Sequence, residues 1–211
     1  MLLSSYLDSL MYASLEQFIK NLDTNTISDS RKEELKTLIE YVRNKRDMGS
    51  EVKLNFICTH NSRRSQLSQI WAQTVADYFD INVKTFSGGV EVTAFNKTAV
   101  DTLQSQGFEV ESTGVQNPLY ELSYDENDAG IVAFSKLFDH PENPQSNFAA
   151  IMTCSHADEN CPFIPGAEVR IPVRYEDPKI ADGTPQEQEV YASRSIEIAT
   201  EMKYVFAQVA G

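Results

Sequence analysis

The stretch that most constrains the fold is residues 52–79, where a short apolar run passes through a polar loop into an amphipathic helix. VKLNFICT (52–59) is short and mostly apolar, the pattern of a strand buried on both faces of a parallel sheet. Leu67, Ile70, Trp71, Thr74, Val75 and Tyr78 then recur at helical spacing, which predicts a helix over 65–79 with one packed face. NVKTFSGG (82–89) reads as a second strand ending in two glycines, and a helix from Asn96 to Gln106 closes at Gly107. FAAIMTC (148–154) and VRIPV (169–173) supply two more strands. This rhythm specifies an α/β fold: a four-stranded parallel sheet flanked by helices.

Two segments stand outside that rhythm. Residues 1–50 read as a helical hairpin extension. Leu7, Leu10, Leu15, Phe18, Ile19 and Leu22 line its first helix, and Asp23–Thr26 makes a polar break. Ser30 and Glu33 form a capping box for the second helix, which runs through Leu35, Leu38, Ile39 and Val42 to Gly49. Residues 118–136 read as a β-hairpin insertion, with YELSY and GIVAFSKLF around an acidic turn. The remainder, 51–211, is the α/β domain, and Thr184, Pro185 and Glu187 predict the start of its last helix.

A chain of 211 residues can bury a core without disulfide or metal staples. Its formal charge of −13, with most of the acid excess in 115–211, argues against a nucleic-acid partner or an anionic membrane surface. The opening MLLSSYLDSLMYASLEQF has neither the basic start nor the unbroken apolar run of a signal peptide, and three cysteines do not make a secreted disulfide framework. The expectation is a cytoplasmic protein.

The chemistry lies in Cys58-Thr59-His60-Asn61-Ser62-Arg63-Arg64-Ser65, between a strand and a helix. A loop leaving the carboxyl end of a parallel strand for a helix N-terminus converges several N–H groups on one point, where the helix dipole also favours an anion. A thiol at its mouth is stabilised as the nucleophilic thiolate. Arg64 can grip two oxygens of a tetrahedral oxyanion, and Ser65 can donate to the sulfur. Two Cys-x-His units, Cys58/His60 and Cys154/His156, also admit a metal or arsenite sensor, although their spacing departs from that of structural zinc sites.

With C-x5-R-S near the start of an α/β domain, the sequence resembles the low-molecular-weight protein tyrosine phosphatases and the thioredoxin-coupled arsenate reductases built on their fold. The resemblance runs from about Val52 to Val209. It implies Cys58 as nucleophile, Arg64 and the loop residues 59–65 as the oxyanion cradle, and the Asp177-Pro178 pair as the source of the general acid. Cys154 and Cys161, in a C-x6-C pair, fall where the reductase branch carries its thiol relay. The resemblance therefore implies a redox-active Cys154–Cys161 disulfide regenerated by thioredoxin, with no organic cofactor. Geometry adds a condition: residues seven apart in a helix lie about 10.5 Å apart, beyond the roughly 4.4–6.8 Å Cα range of a disulfide. Pairing thus requires the polar SHADEN segment to loop out.

Three positions depart from the family pattern. His60 replaces a glycine, and histidine tolerates a positive φ less well. Arg63 replaces a small or cysteine residue, and the loop altered at these two positions is expected to narrow the pocket or change which oxyanion fits. Gln69 stands where a glutamate of the potassium site of some reductases is expected, so no bound metal is predicted. Asn61 matches the family's loop-bracing asparagine. Arsenate reduction is the leading expectation; phosphomonoester hydrolysis and non-enzymatic oxyanion or metal binding are the alternatives.

Overall fold

The structure is a computed structural model describing residues 11–126, 130–160 and 163–211. Leu7 and Leu10 of the expected first helix, Asn127 to Ala129 of the acidic turn, and Cys161 with Pro162 lie outside the described residues. In chain order the elements are α1 (Ala13–Asn21), α2 (Asp29–Asp47), β1 (Val52–Cys58), α3 (Arg64–Tyr78), β2 (Val83–Gly89), α4 (Lys97–Ser105) and β3 (Glu109–Thr113). There follow β4 (Leu119–Ser123), β5 (Ile131–Ala133), β6 (Phe148–Met152), α5 (Ser155–Asn160), β7 (Ala167–Pro172) and α6 (Glu187–Ala210). Short 3-10 turns occupy Thr24–Thr26 and Pro178–Ala181.

Four strands form a parallel sheet in the order β2-β1-β6-β7. The register places Cys58 beside Gly89 and Ile57 beside Met152, so the carboxyl ends of β1, β2 and β6 lie together. The chain leaves β1 toward β2 on one side and returns to β6 on the other. That reversal opens the crevice where ligands of open α/β sheets bind. Cys58 and Cys154 thus emerge from the ends of two neighbouring strands.

Alternation along β6 separates the two faces of the sheet. Ala149 and Ile151 join the main core with residues of α1, α2, α3, α4 and α6, whereas Phe148, Ala150 and Met152 join a smaller cluster with Ala157 and Ile164. The extension is part of the main core, because Leu15, Ile19, Leu35, Leu38 and Val42 are buried in it. Trp71 of α3 stacks on Phe18 of α1 at 5.3 Å, meets Phe108 edge-on at 5.1 Å and donates Nε1–H to Ser195 Oγ at 2.8 Å.

Several boundaries move from their sequence-based positions. The cap of α2 is Ser28, whose hydroxyl accepts from Arg31 N, rather than Ser30, because the helix starts two residues sooner. Helix α6 starts at Glu187; the Thr184 hydroxyl instead donates to Ala181 O, and Glu187 Oε2 accepts from Gly183 N. The hairpin insertion is larger than expected, since β3 pairs with β4 to make a three-stranded antiparallel sheet, β3-β4-β5. SHADEN, which has to loop out before Cys154 and Cys161 can pair, is helical as α5. After β5 the chain leaves the small sheet and runs back to β2, where Gly89 N donates to Lys136 O at 2.8 Å and Phe138 N donates to Gly89 O at 2.9 Å. A Cβ on Gly88 would lie 2.2 Å from Phe138 Cα, so this approach requires glycine.

Because the extension and the sheet share one core, Leu35→Ala is expected to cost about 2–5 kcal/mol. Urea unfolding followed by fluorescence of the single tryptophan and by far-ultraviolet circular dichroism should give coincident transitions. Two separated transitions would show that the extension folds on its own.

Candidate functional site

The loop from Cys58 to Arg64 is held by its carbonyl groups. Cys58 O accepts from Val90 N, Thr59 O from Glu91 N, Ser62 O from Asn96 N and Arg63 O from Leu67 N. His60 O accepts the hydroxyls of Ser135 (2.9 Å) and Thr93 (3.2 Å), and Asn61 O accepts Gln66 Nε2 (3.1 Å). Every carbonyl from 58 to 63 is thus tied to surrounding structure. Among the described residues no hydrogen-bond acceptor takes the N–H groups of Thr59 to Arg63. Peptides arranged this way present a concavity of donors suited to an anion.

Asn61 is fully buried and performs the bracing expected of it. Its Oδ1 accepts from Lys136 N at 2.9 Å, and its Nδ2 donates to Ser65 Oγ at 2.9 Å. Ser65 Oγ lies 3.0 Å from Cys58 Sγ; having accepted from Asn61, it can direct its own proton at the sulfur. The positive φ of the loop falls on Asn61 (45°) and not on His60, so the histidine escapes the strain expected there, and asparagine tolerates this conformation. The His60 ring points outward, with Nε2 3.4 Å from a Glu91 carboxylate oxygen. A Cβ on Gly89 would lie 2.7 Å from Asn61 N, so the second glycine of β2 makes room for the loop.

The two arginines diverge. Arg64 donates from Nη2 to Asp177 Oδ2 (2.7 Å) and from Nη1 to Tyr175 O (3.1 Å), while its buried Nε has no partner among the described residues. The structure thus joins the expected oxyanion-gripping arginine to the expected acid. Arg63 turns away from the concavity, against the expectation that the altered loop narrows the pocket: Nη2 donates to Asp182 Oδ2 (2.8 Å) and Nε to Tyr191 OH (2.5 Å). Asp177 and Asp182 flank the Pro178–Ala181 turn, so adjacent loop arginines hold both ends of the acid-bearing segment. Asp177 Oδ1 also accepts from Lys179 N at 3.1 Å. Ser62 donates from Oγ to Ala94 O and serves the loop's anchorage.

Cys154 is a buried free thiol in the same small cluster as Cys58. Its Sγ accepts from Ala157 N at 3.4 Å and lies 3.5 Å from Thr59 Oγ1, which is also 3.3 Å from His156 Nδ1. A loop hydroxyl therefore connects the two cysteine regions. Helix α5 is pinned by Asp158: Oδ1 accepts from Arg170 Nε (2.9 Å) and Nη2 (2.7 Å), and Oδ2 accepts from Arg174 Nε (2.9 Å) and Nη2. Cys161 lies outside the described residues.

Lys136, Tyr175 and Arg174 carry no recognisable motif and were not singled out in the sequence; a lysine following an apolar strand is the only local signal for the first. Lys136 is buried, its ammonium 4.6 Å from the centre of the Phe134 ring, and burial pushes its pKa down to about 8. It lines a pocket of about 510 Å³ with Gln69, Glu142 and Asn143. Gln69 donates from Nε2 to Thr85 O (3.3 Å), and its buried Oε1 has no partner among the described residues. Among the described residues no group of three His, Cys, Asp or Glu side chains is placed to hold a metal.

No protein-family model matches the chain. It is 26% identical to an arsenate reductase of Halalkalibacterium halodurans over 134 residues, covering 63% of this chain and 78% of that protein. It is 26% identical to an arsenate reductase of Bacillus subtilis strain 168 over 139 residues, 66% of this chain and 83% of that protein. An arsenate reductase of Staphylococcus aureus strain Newman is 32% identical over 111 residues, 52% of this chain and 66% of that protein. A solved arsenate reductase in its oxidized state aligns over 74% of this chain and 98% of its own, with a TM-score of 0.48 at 16% identity.

The buried ammonium of Lys136 has a sign that can be checked. Its folded pKa of about 8 lies below the ordinary 10.5, so charge on Lys136 opposes folding, fully below pH 8 and progressively less as pH rises toward 10.5. Lys136→Met is therefore expected to stabilise the protein at pH 7 by roughly 1–3 kcal/mol, an advantage that shrinks between pH 8 and 10.5. Urea titrations at pH 7, 9 and 10.5 measure it; a pH-independent difference would remove the charge from the account.

Proposed function

We propose, from the premise that the chain belongs to the low-molecular-weight protein tyrosine phosphatase family together with the arsenate reductases it resembles, that it reduces arsenate to arsenite through a cysteine relay. The observation that carries this reading is the loop at 58–63, whose carbonyls are all engaged outward while its N–H groups stay unclaimed beside Cys58 and Arg64. A tetrahedral oxyanion fits such donors by charge and number.

In this reading Cys58 Sγ attacks arsenic, and an arsenate oxygen leaves as water after taking a proton from Asp177. The acid matters because the oxygen otherwise departs as a strong base. Ser65 and the loop N–H groups stabilise the thiolate and the oxyanion. Cys154 Sγ then attacks Cys58 Sγ; as that S–S bond forms, the S–As electron pair stays with arsenic, which leaves as arsenite. Cys161 displaces Cys58 from Cys154, and a dithiol protein such as thioredoxin reduces the resulting Cys154–Cys161 bond. Each exchange is a thiolate attack on an accessible sulfur, so α5 must open before the last two cysteines can pair.

A second reading, phosphomonoester hydrolysis, is favoured by an open groove of about 480 Å³ beside the loop. It is lined by His60, Arg63, Phe95, Val115, Pro118 and Lys179, space that a bare arsenate does not need.

The test follows NADPH oxidation with purified chain, thioredoxin, thioredoxin reductase and arsenate. Cys58→Ser should abolish turnover, Cys154→Ser and Cys161→Ser should abolish multiple turnover, and Asp177→Asn should lower kcat about 100- to 10,000-fold. Hydrolysis of a chromogenic phosphate ester that survives Cys154→Ser, with no arsenate-dependent oxidation, would make the chain a phosphatase. Oxyanion binding without either turnover would make it a binding protein.

A further inference from the structure

We propose that Arg31, in the N-terminal extension, is a positioning residue of the oxyanion site, acting on Arg64 and Asp177 through the segment 174–177. The proposal rests on the assignment of those two residues above.

The connection can be followed atom by atom. Arg31 extends from the first turn of α2 and is largely buried. Its Nε and Nη2 bind the two oxygens of buried Glu201 on α6 at 2.7 and 2.9 Å. Nη2 also donates to Arg174 O at 3.1 Å, and Nη1 pairs with Glu34. The guanidinium carbon lies 5.1 Å from the centre of the Tyr175 ring. Tyr175 OH donates to Glu201 Oε2 at 2.7 Å; burial, and then the Glu201 charge, push its pKa well above the ordinary value and keep it a donor.

The far side of the same two residues faces the site. Tyr175 O accepts from Arg64 Nη1, and Arg64 Nη2 holds Asp177. Arg174 reaches outward to Asp158 of α5. Backbone bonds from Val173 N to Met152 O and from Tyr175 N to Thr153 O lay the segment along the end of β6. The sheet therefore supports one edge of 174–177, and Arg31 with Glu201 supports its ring and its carbonyl. The reductases matched above align with only 111–139 residues of this chain.

The charges are costly to bury singly. Removing Arg31 alone would strand Glu201 and destabilise the protein for reasons unrelated to positioning. Arg31→Met combined with Glu201→Gln removes both charges and leaves Tyr175 OH an acceptor, so this pair is the informative variant.

The experiment compares wild type, the Arg31→Met/Glu201→Gln pair and Arg31→Lys, each as the full chain and assayed well below its Tm. Arsenate turnover is measured by NADPH coupling, and affinity for inorganic phosphate by calorimetry. Displacement of a positioned group by about 1 Å can cost on the order of 100-fold, so kcat/KM of the pair should fall about 10- to 100-fold, with weaker phosphate binding. Arg31→Lys should lie between. In an Asp177→Asn background the loss in kcat/KM should shrink, because the two changes act on one connected segment. A lowered Tm with kcat/KM and phosphate affinity unchanged would overturn the proposal and leave Arg31 a structural ion pair. A full loss persisting in the Asp177→Asn background, with phosphate affinity intact, would overturn it as well. A wild-type chain that binds no phosphate and turns over no arsenate would overturn the site assignment, and the proposal with it.

Discussion

The orientation of six consecutive peptide groups governs this molecule. From Cys58 to Arg63 the six carbonyls are drawn to partners in four places: the turn after β2, the residues before α4, the strand exit at Ser135 and helix α3 itself. Buried carbonyls left without donors are costly, so the partners are necessities, and supplying them accounts for features that otherwise look arbitrary. Gly88 and Gly89 are side-chain-free because the loop and residues 136–138 pack directly on them. The chain after β5 abandons its small sheet early because its backbone and the Ser135 hydroxyl are needed at the loop. Asn61 carries the left-handed turn and connects Lys136 to Ser65 through one amide.

A second constraint is electrostatic. The segment after β7 brings Asp177 to Arg64 of the loop, and it buries Val173, Tyr175, Pro178 and Ala181. Its place is set by ionic grips at both ends, Arg64 on Asp177 and Arg63 on Asp182, and by the backbone bonds to β6. Arg63 is a substitution that a motif comparison reads as an intrusion into the pocket. In the folded chain it lies outside, with its planar fork shared between a carboxylate and the Tyr191 hydroxyl.

Much of this was legible in the sequence, and the reason is periodicity. The strands from 52 and 148 are mostly apolar because both sheet faces are covered, and the helix after the loop shows its packed face in the positions of Leu67, Ile70, Trp71 and Val75. Those signals are local. Lys136 and Tyr175 were illegible because their roles come from contacts with residues about 75 and 111 positions away. Strand β3 was missed because its residues are mostly exposed and polar, held by pairing with β4 and not by an apolar face. The helix at SHADEN was not legible for a similar reason: a six-residue helix has little periodicity, and α5 is fixed by Asp158 between two arginines from a later part of the chain. The positive φ of the loop falls on Asn61, one residue after the position where histidine replaces the family's glycine, since sequence shows that a turn exists but not which peptide turns.

The burial of Leu35, Leu38 and Val42 in the main core bears on how the protein can be handled. A version shortened to begin at Glu51 would keep the parallel sheet and the 58–65 loop. In water it would carry an uncovered apolar strip along α6 and the edge of the sheet, together with an unpaired Glu201 carboxylate where Arg31 had been. Such a surface invites self-association. A minimal catalyst from this chain is therefore a redesign problem, in which α6 would need new polar residues before the first fifty could be spared.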